Sequence, residues 1–375
     1  MRILTVIYEF PPIGGGGGRA AYDICAELAA RGHDVIVLTA HMNDLPRDET
    51  LDGFRVVRIP SRRTEAFVAS FEAMLFYILA GFSKGLELIR HSRPDVIHTH
   101  FAVPSGALAW MLSVITNIPF ILTAHLGDVP GGVPQKTAHW FRWLKPFTIP
   151  IWRQAKYVAA VSEFTRQLAL KHYPVEIRVI PNGADFTHVV TDKVEVNTPP
   201  RIVFAGRFVL QKNPLAIVRA LSMLKELHWN CSMLGDGPMF EEVKAEIEKH
   251  GMRERFHLTG WVTPADVLDE FSRSDILFMP SLSEGLPVVG VDALVKGLAI
   301  VASRIGGFLD LVDQDSNGCL IEVRDEAGFA SALRGLLSNR DRLLKFRLAS
   351  LEKAKDFDIG KIVDQYEGMM REAIR

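Results

Sequence analysis

Cysteine is scarce in this sequence, charge is nearly balanced, and no long apolar run occurs. The three cysteines, Cys25, Cys231 and Cys319, stand alone and never form a C-x-x-C pair. That excludes a disulfide framework and a thiolate metal site, and a reducing cytoplasm is the expected setting. Lys and Arg number 43 against 44 Asp and Glu, a formal net charge of -1, so the chain carries no global electrostatic footprint for nucleic acid. No uncharged apolar stretch reaches the roughly 18 residues of a membrane-spanning helix. The opening run Met1–Ile7 gives way to Glu9 and Pro11, too soon for the apolar core of a signal peptide. No Ser-His-Asp order, Walker loop or zinc pattern stands out, and the paired carboxylates of a glycoside hydrolase cannot be assigned. Beyond the run Gly14–Gly18 there is no short repeat or low-complexity tract.

What the chain does have is the composition of a well-packed globular protein, 48% hydrophobic and 23% charged. Its 375 residues exceed one ordinary core, so about two domains are expected. Short apolar runs alternate with longer amphipathic stretches throughout. The first series of candidate strands is Ile3–Ile7, Val35–Leu38, Val56–Ile59, Val96–Thr99, Phe120–Thr123, Tyr157–Val161 and Arg178–Ile180. The second is Ile202–Ala205, Cys231–Leu234, Phe256–Leu258, Ile276–Met279, Ala299–Ala302 and Cys319–Ile321. Strands that are apolar on both faces and separated by helices indicate parallel sheets in βαβ units. The stretch 184–201 lacks helical periodicity and ends in two prolines, which reads as a linker. The expected domains are therefore residues 1–185 and 200–356, two doubly wound α/β units. The amphipathic segment 359–375 lies beyond the second sheet's last strand.

Four stretches carry candidate chemistry. Pro280–Asp292 reads as polar elbow into helix N-terminus, with Glu284 in the elbow, Pro287 suited to the first turn and Asp292 inside the helix. Its backbone N–H groups form either an anion site or an ordinary turn. Gly14–Gly18 with Arg19 follows the first strand and precedes a helix expected near Ala20. Successive glycines let a ligand approach the backbone. The loop is longer than the dinucleotide fingerprint, and no acidic residue ends the second strand. Gly206-Arg207, with Lys212 ahead of Pro214, occupies the matching place in the second half. Those cations are either solvated surface charges or a grip for a diphosphate. His125, with Asp128 close by, directly follows the Phe120–Thr123 strand, on the edge where open α/β sheets bind ligands. His98 and His100 alternate on one strand face, and with no third ligand expected nearby a metal site there is not expected. Trp140–Arg153 mixes aromatic and basic residues, and Phe67–Phe82 holds one charge, Glu72. Both are core helices or a surface for a membrane interface.

In this order and spacing, these motifs resemble the retaining nucleotide-sugar glycosyltransferases of glycosyltransferase family four. The resemblance spans nearly the whole chain, from the glycine loop and Asp95–His100 through the His125 turn, Ser162-Glu163 and Pro181–Asp185. It continues through Gly206-Arg207 with Lys212, Gly235–Pro238, Gly260–Val262 and Glu284–Pro287. It implies a GT-B fold, an α/β architecture of two Rossmann-like domains facing a cleft, with the last helix crossing back to the first domain. It also implies transfer of a sugar from a UDP- or GDP-sugar to an acceptor hydroxyl, with no metal and no cofactor. Arg207 and Lys212 would bind the diphosphate and, with Glu284 and His125, form the catalytic group. Gly16, Gly17, Gly206, Val262, Gly285, Leu286, Pro287, Val288 and Asp292 would bind the donor, and Asp128 would lie on the sugar side. The family has Glu where this chain has Asp292, one methylene shorter, which bears on ribose contact. Asp310 likewise stands where the family often has Glu. The implied partners are a nucleotide-sugar and a glycan or glycolipid acceptor, with peripheral membrane contact through 140–153 and no nucleic acid. A cytoplasmic place at the inner face of the membrane follows. A nucleotide-sugar 2-epimerase and a non-catalytic binding subunit are the alternatives on the same architecture.

Overall fold

The structure is a computed structural model that describes residues 1–65, 70–186 and 194–375, with the backbone alone for 134–143. In chain order the first elements are β1 (Arg2–Val6), α1 (Gly16–Ala30), β2 (Asp34–Ala40), β3 (Asp48–Leu51) and β4 (Phe54–Ile59). Then come α2 (Phe71–Ser92), β5 (Val96–His100), α3 (Ala107–Thr116), β6 (Phe120–Ala124) and α4 (Pro134–Gln154). β7 (Tyr157–Ala160), α5 (Glu163–Leu170) and β8 (Ile177–Val179) follow. The second series runs β9 (Arg201–Ala205), α6 (Pro214–Ser222), β10 (Asn230–Leu234), α7 (Phe240–Lys249), β11 (Phe256–Gly260) and α8 (Pro264–Ser272). It continues with β12 (Ile276–Met279), α9 (Val288–Val295), β13 (Ala299–Ser303), α10 (Phe308–Leu311), β14 (Gly318–Ile321), α11 (Glu326–Leu337) and α12 (Arg340–Ala354). Last is α13 (Ile359–Ile374).

The chain divides into two compact units: Met1–Gly183 with Ile359–Arg375, and Ala184–Asp358. In the first, eight strands are ordered β3-β4-β2-β1-β5-β6-β7-β8. All pairings are parallel except β3 against β4. Every residue of β5 and β6 is buried, as expected where helices cover both faces of a parallel sheet. β3 escapes sequence reading because its residues, Asp-Glu-Thr-Leu, alternate exposed and half-buried at an edge. Its register is held through the ladder and the Arg55–Asp48 ion pair.

α13 buries Ile359, Ile362, Val363, Tyr366, Met369, Met370 and Ala373, the i, i+3, i+4, i+7 spacing of one helix face. That face joins the core of Ile3, Ile7, Val96, Ile121 and Ala159. Burial contributes roughly 1.5–3 kcal/mol for each large apolar side chain, so an aspartate at Met370 would undock the helix. Ion pairs Arg31–Asp364, His33–Glu367 and Arg178–Glu372 rim the contact.

The second unit holds six parallel strands ordered β11-β10-β9-β12-β13-β14. At its amino edge the buried Asp275 accepts from Arg347, from the backbone of Arg201 and from Asn197. Arg347 also donates to the carbonyls of Gly297 and Glu195, so this buried charge pair is fully hydrogen-bonded.

Two local expectations are corrected. α1 begins at Gly16 rather than near Ala20, so three of the five glycines form its first turn. Glycine disfavours helix by about 1 kcal/mol against alanine, but here close packing overrides propensity. A Cβ on Gly18 would come 2.5 Å from the Glu9 carbonyl oxygen. Pro287 caps α9 rather than opening it, and the helix starts at Val288.

Candidate active site

In the second unit the loops after β9, β10 and β11 lock together through glycine backbone. Gly206 N–H donates to the Leu234 carbonyl and Gly235 N–H to the Gly260 carbonyl. A Cβ on Gly235 would sit 2.1 Å from the Gly206 carbonyl oxygen, so no other residue lets these strand ends approach. Phe208 N–H donates to the Asp236 carbonyl. Arg207, half-buried, is thus fixed at the carboxyl end of β9. A single helical turn then carries Lys212, and Pro214 opens α6.

That turn is stitched to the elbow before α9. Leu282 N–H donates to the Gln211 carbonyl at 2.7 Å, Gln211 Nε2 to the Ser283 carbonyl, and Asn213 Nδ2 to the Pro280 carbonyl. The outcome is an ion pair between Lys212 Nζ and Glu284 Oε1 at 2.6 Å. The side chains are 18% and 7% exposed, so the pair is largely desolvated. On the elbow's other side Gly306 and Gly307 press against it, where a Cβ would fall 1.7 Å from the Glu284 and 2.0 Å from the Gly285 carbonyl oxygen. The hydroxyls of Ser281 and Ser283 are buried with no hydrogen-bond partner among the described residues. Sequence reasoning missed them, because nothing in the spacing marks a serine that will be sealed beside Glu284.

Gly285, Leu286, Pro287 and Val288 form the approach to α9, whose first N–H groups have no acceptor within the helix. Asp292 lies in that helix, half-buried. Val262 sits between β11 and the capped start of α8, beside a Trp261 that is 62% exposed. A cavity of roughly 670 Å³ lies elsewhere, among Lys244, Glu248, Arg253 and His257, and includes none of these residues.

In the first unit His125 follows β6 and opens a single turn ending at Asp128. Asp128 accepts from His125 N–H at 2.8 Å and Ala102 N–H at 2.7 Å. Both its oxygens thus serve the backbone. Burial pushes the Asp128 carboxyl up to about 7, against the pull of the His125, Ala102 and Val103 N–H donors. The Phe101 ring stacks on His125 at 4.3 Å between centroids, from a backbone with φ of 69°. A Cβ on Gly17 would lie 2.5 Å from Phe101 and 3.3 Å from His125 Cε1 and Nδ1. Glycine is therefore what lets the start of α1, with Gly16, pass close to the imidazole.

His98 and His100 share a strand face, their rings 4.4 Å apart. The expectation that no third group stands nearby is corrected, since His125 Nε2 is 3.4 Å from His100 Nδ1. The β5 alternation shows the face, but not which loop returns to it. Burial drives the imidazoles down, His98 to about 3, His125 to about 4 and His100 well below its usual value, so all three are neutral near pH 7. Among the described residues no group of three or more His, Cys, Asp or Glu is arranged to hold a metal ion.

For the aromatic-basic stretch, the side chains of Trp140, Phe141, Arg142 and Trp143 lie outside the described residues. Phe147 is 73% exposed, while Trp152 is buried and stacked on Tyr173. Phe67 is likewise outside them, and Phe71, Leu75 and Leu79 form an exposed apolar line on α2. Among the described residues no helix is long and apolar enough to cross a membrane.

Residues 14–188 match the family described as Glycosyltransferase Family 4, and residues 189–354 match Glycosyl transferases group 1. A glycogen synthase of Mycobacterium tuberculosis is 27% identical over 96% of this chain and 91% of its own length. Sucrose-phosphate synthase from Thermosynechococcus elongatus has a TM-score of 0.84 at 18% identity, covering 99% of this chain and 98% of that one. Anabaena HepE in complex with UDP-glucose has a TM-score of 0.77 at 16% identity, over 99% and 100%. The chain therefore has the GT-B fold and belongs to the group 1 glycosyltransferases of glycosyltransferase family four.

Proposed function

We propose that this glycosyltransferase moves a sugar from a nucleoside-diphosphate sugar to an acceptor hydroxyl with retention of anomeric configuration, using neither metal nor cofactor. The observation that carries this reading is the Lys212–Glu284 pair, which seats a cation and a carboxylate together at the mouth of the α9 elbow. A UDP- or GDP-sugar presents the matching chemistry, a diphosphate beside sugar hydroxyls. The HepE relative is described with UDP-glucose, which supports a donor of this class.

In the transfer, the bond from the anomeric carbon to the diphosphate breaks as the acceptor oxygen bonds to the same face. The departing phosphate oxygen takes the acceptor proton. Arg207 and Lys212 stabilise the charge that develops on it, the role a fixed electrostatic clamp serves better than solvent. Glu284 accepts from sugar hydroxyls, and Gly206 with the N–H groups of Gly285, Leu286 and Val288 holds phosphate and sugar around Pro287. The backbone at Val262 meets the nucleobase, and Asp292 reaches the ribose with a side chain one methylene short of glutamate. His125 contacts the transferred sugar, Gly16 and Gly17 approach the phosphates, and Asp128 acts through His125 rather than on the sugar.

The acceptor is a glycan or glycolipid of cell-surface polysaccharide or glycolipid assembly. Peripheral contact with the inner face of the membrane is supported by the exposed Phe71, Leu75, Leu79 and Phe147. The direct test is nucleotide release and product formation with wild type, Arg207→Ala and Lys212→Ala. An Arg207→Ala or Lys212→Ala enzyme with wild-type kcat/KM would sink the assignment, and an epimerised donor formed without acceptor would replace it.

A further inference from the structure

Hydrogen-bond accounting around His98, His100 and His125 fixes more than their positions. His98 Nε2 is 2.9 Å from Thr123 Oγ1, whose hydroxyl donates to Tyr366 Oη at 3.3 Å. Thr123 therefore accepts from His98, the proton sits on Nε2, and the nitrogen left buried without a partner, Nδ1, is a bare lone pair. His100 poses the same choice. Its Nδ1 faces His125 Nε2 at 3.4 Å, and its Nε2 is buried with no partner. Placing the proton on Nε2 would bury an unsatisfied N–H, which folded proteins avoid more strictly than an unsatisfied acceptor. Placing it on Nδ1 makes His100 the donor and His125 Nε2 the acceptor. A neutral imidazole accepting at one nitrogen carries its proton on the other. The remaining nitrogen, His125 Nδ1, faces Gly17, where no side chain intervenes. The Phe101 stack holds the ring plane.

We propose that His100 is a positioning residue that donates from Nδ1 to His125 Nε2, locking His125 as a hydrogen-bond donor at Nδ1 toward a hydroxyl oxygen of the transferred sugar. The consequence for catalysis rests on the reading of His125 given above, whereas the tautomer does not.

The tautomer is read directly from long-range proton–nitrogen spectra of histidine-labelled wild type near pH 7, with His125→Ala assigning the signal. The expected spectrum has His125 protonated at Nδ1 and bare at Nε2, and protonation at Nε2 overturns the proposal. Kinetics supply the second arm. His100→Leu removes the donor and should lower kcat roughly 10- to 100-fold with donor KM within about twofold, the cost of a misaligned contact group. His100→Asn places an amide nitrogen near the Nδ1 position and should stay within about threefold of wild type. Wild-type kcat in His100→Leu beside an impaired His125→Ala, or equal loss in both His100 variants, overturns it. Wild-type kcat in His125→Ala would instead refute the reading of His125, leaving the spectrum to decide the tautomer.

Discussion

Replacing Lys212 with methionine should damage stability and catalysis in ways a double mutant can separate. Lys212 Nζ lies 2.6 Å from Glu284 Oε1, and the Glu284 side chain is 7% exposed. Removing the cation leaves a nearly buried carboxylate uncompensated, and breaking such a pair costs about 3–5 kcal/mol. The lysine is 18% exposed, so water relieves part of this and the low end, about 3 kcal/mol, is expected. Catalysis should fall separately, by roughly 10²–10³ in kcat, the loss typical of one preorganised donor at a developing charge. Adding Glu284→Gln neutralises the stranded carboxylate. The double mutant should recover most of the stability, yet remain as slow as Lys212→Met, because its cation is still missing. Denaturant unfolding of the second unit and steady-state nucleotide release measure the two quantities. If kcat returns together with stability, Lys212 acts by holding the elbow and the electrostatic role is refuted.

Other perturbations follow from the same contacts. The buried histidine cluster should make the first unit less stable in acid. The unfolded chain protonates its imidazoles below about 6.5, while the fold refuses those protons to about 4 at His125 and about 3 at His98. The raised Asp128 carboxyl works oppositely, holding in the fold, below about 7, a proton that the unfolded chain releases above 3.8. Three imidazoles against one carboxyl leave about two protons net, so stability should fall by about 2–3 kcal/mol per pH unit near pH 5. Unfolding at pH 5 and 7 checks this, and His100→Asn should reduce the slope by about one proton. Gly307→Ala should weaken donor binding measured by calorimetry, because its Cβ meets the Gly285 carbonyl oxygen at 2.0 Å and must displace the elbow. Asp292→Glu should tighten donor binding by about one hydrogen bond, roughly 1 kcal/mol. Exhaustive chelation should leave activity unchanged, and a loss restored by a divalent ion would contradict the role given to Arg207 and Lys212. Co-sedimentation with anionic vesicles should weaken when Leu75 and Leu79 become serine.

Strand order was legible wherever a run is apolar on both faces, as in Ile276–Met279 and Phe120–Ala124. It failed at β3, whose polar residues are held by pairing rather than burial. The start of α1 was illegible because a glycine run argues against helix, and the need for glycine lies in the approach of Glu9 and His125. Lys212 and Glu284 are far apart in sequence, and the family motif, not spacing, suggested them together. Asp128 was legible as a neighbour of His125 but not as a backbone acceptor. The partnership of His100 and His125 requires β5 and β6 to pair, which no periodicity reveals.

A donor screen with anomeric analysis tests retaining transfer most directly. UDP- and GDP-sugars are incubated with the purified protein and candidate glycan acceptors, while nucleotide release and the product's anomeric coupling are followed by NMR. One nucleoside diphosphate should be released, and the new linkage should keep the donor's anomeric configuration in the presence of chelator. A product of inverted configuration, or no turnover of any nucleotide-sugar by the folded protein, would contradict it.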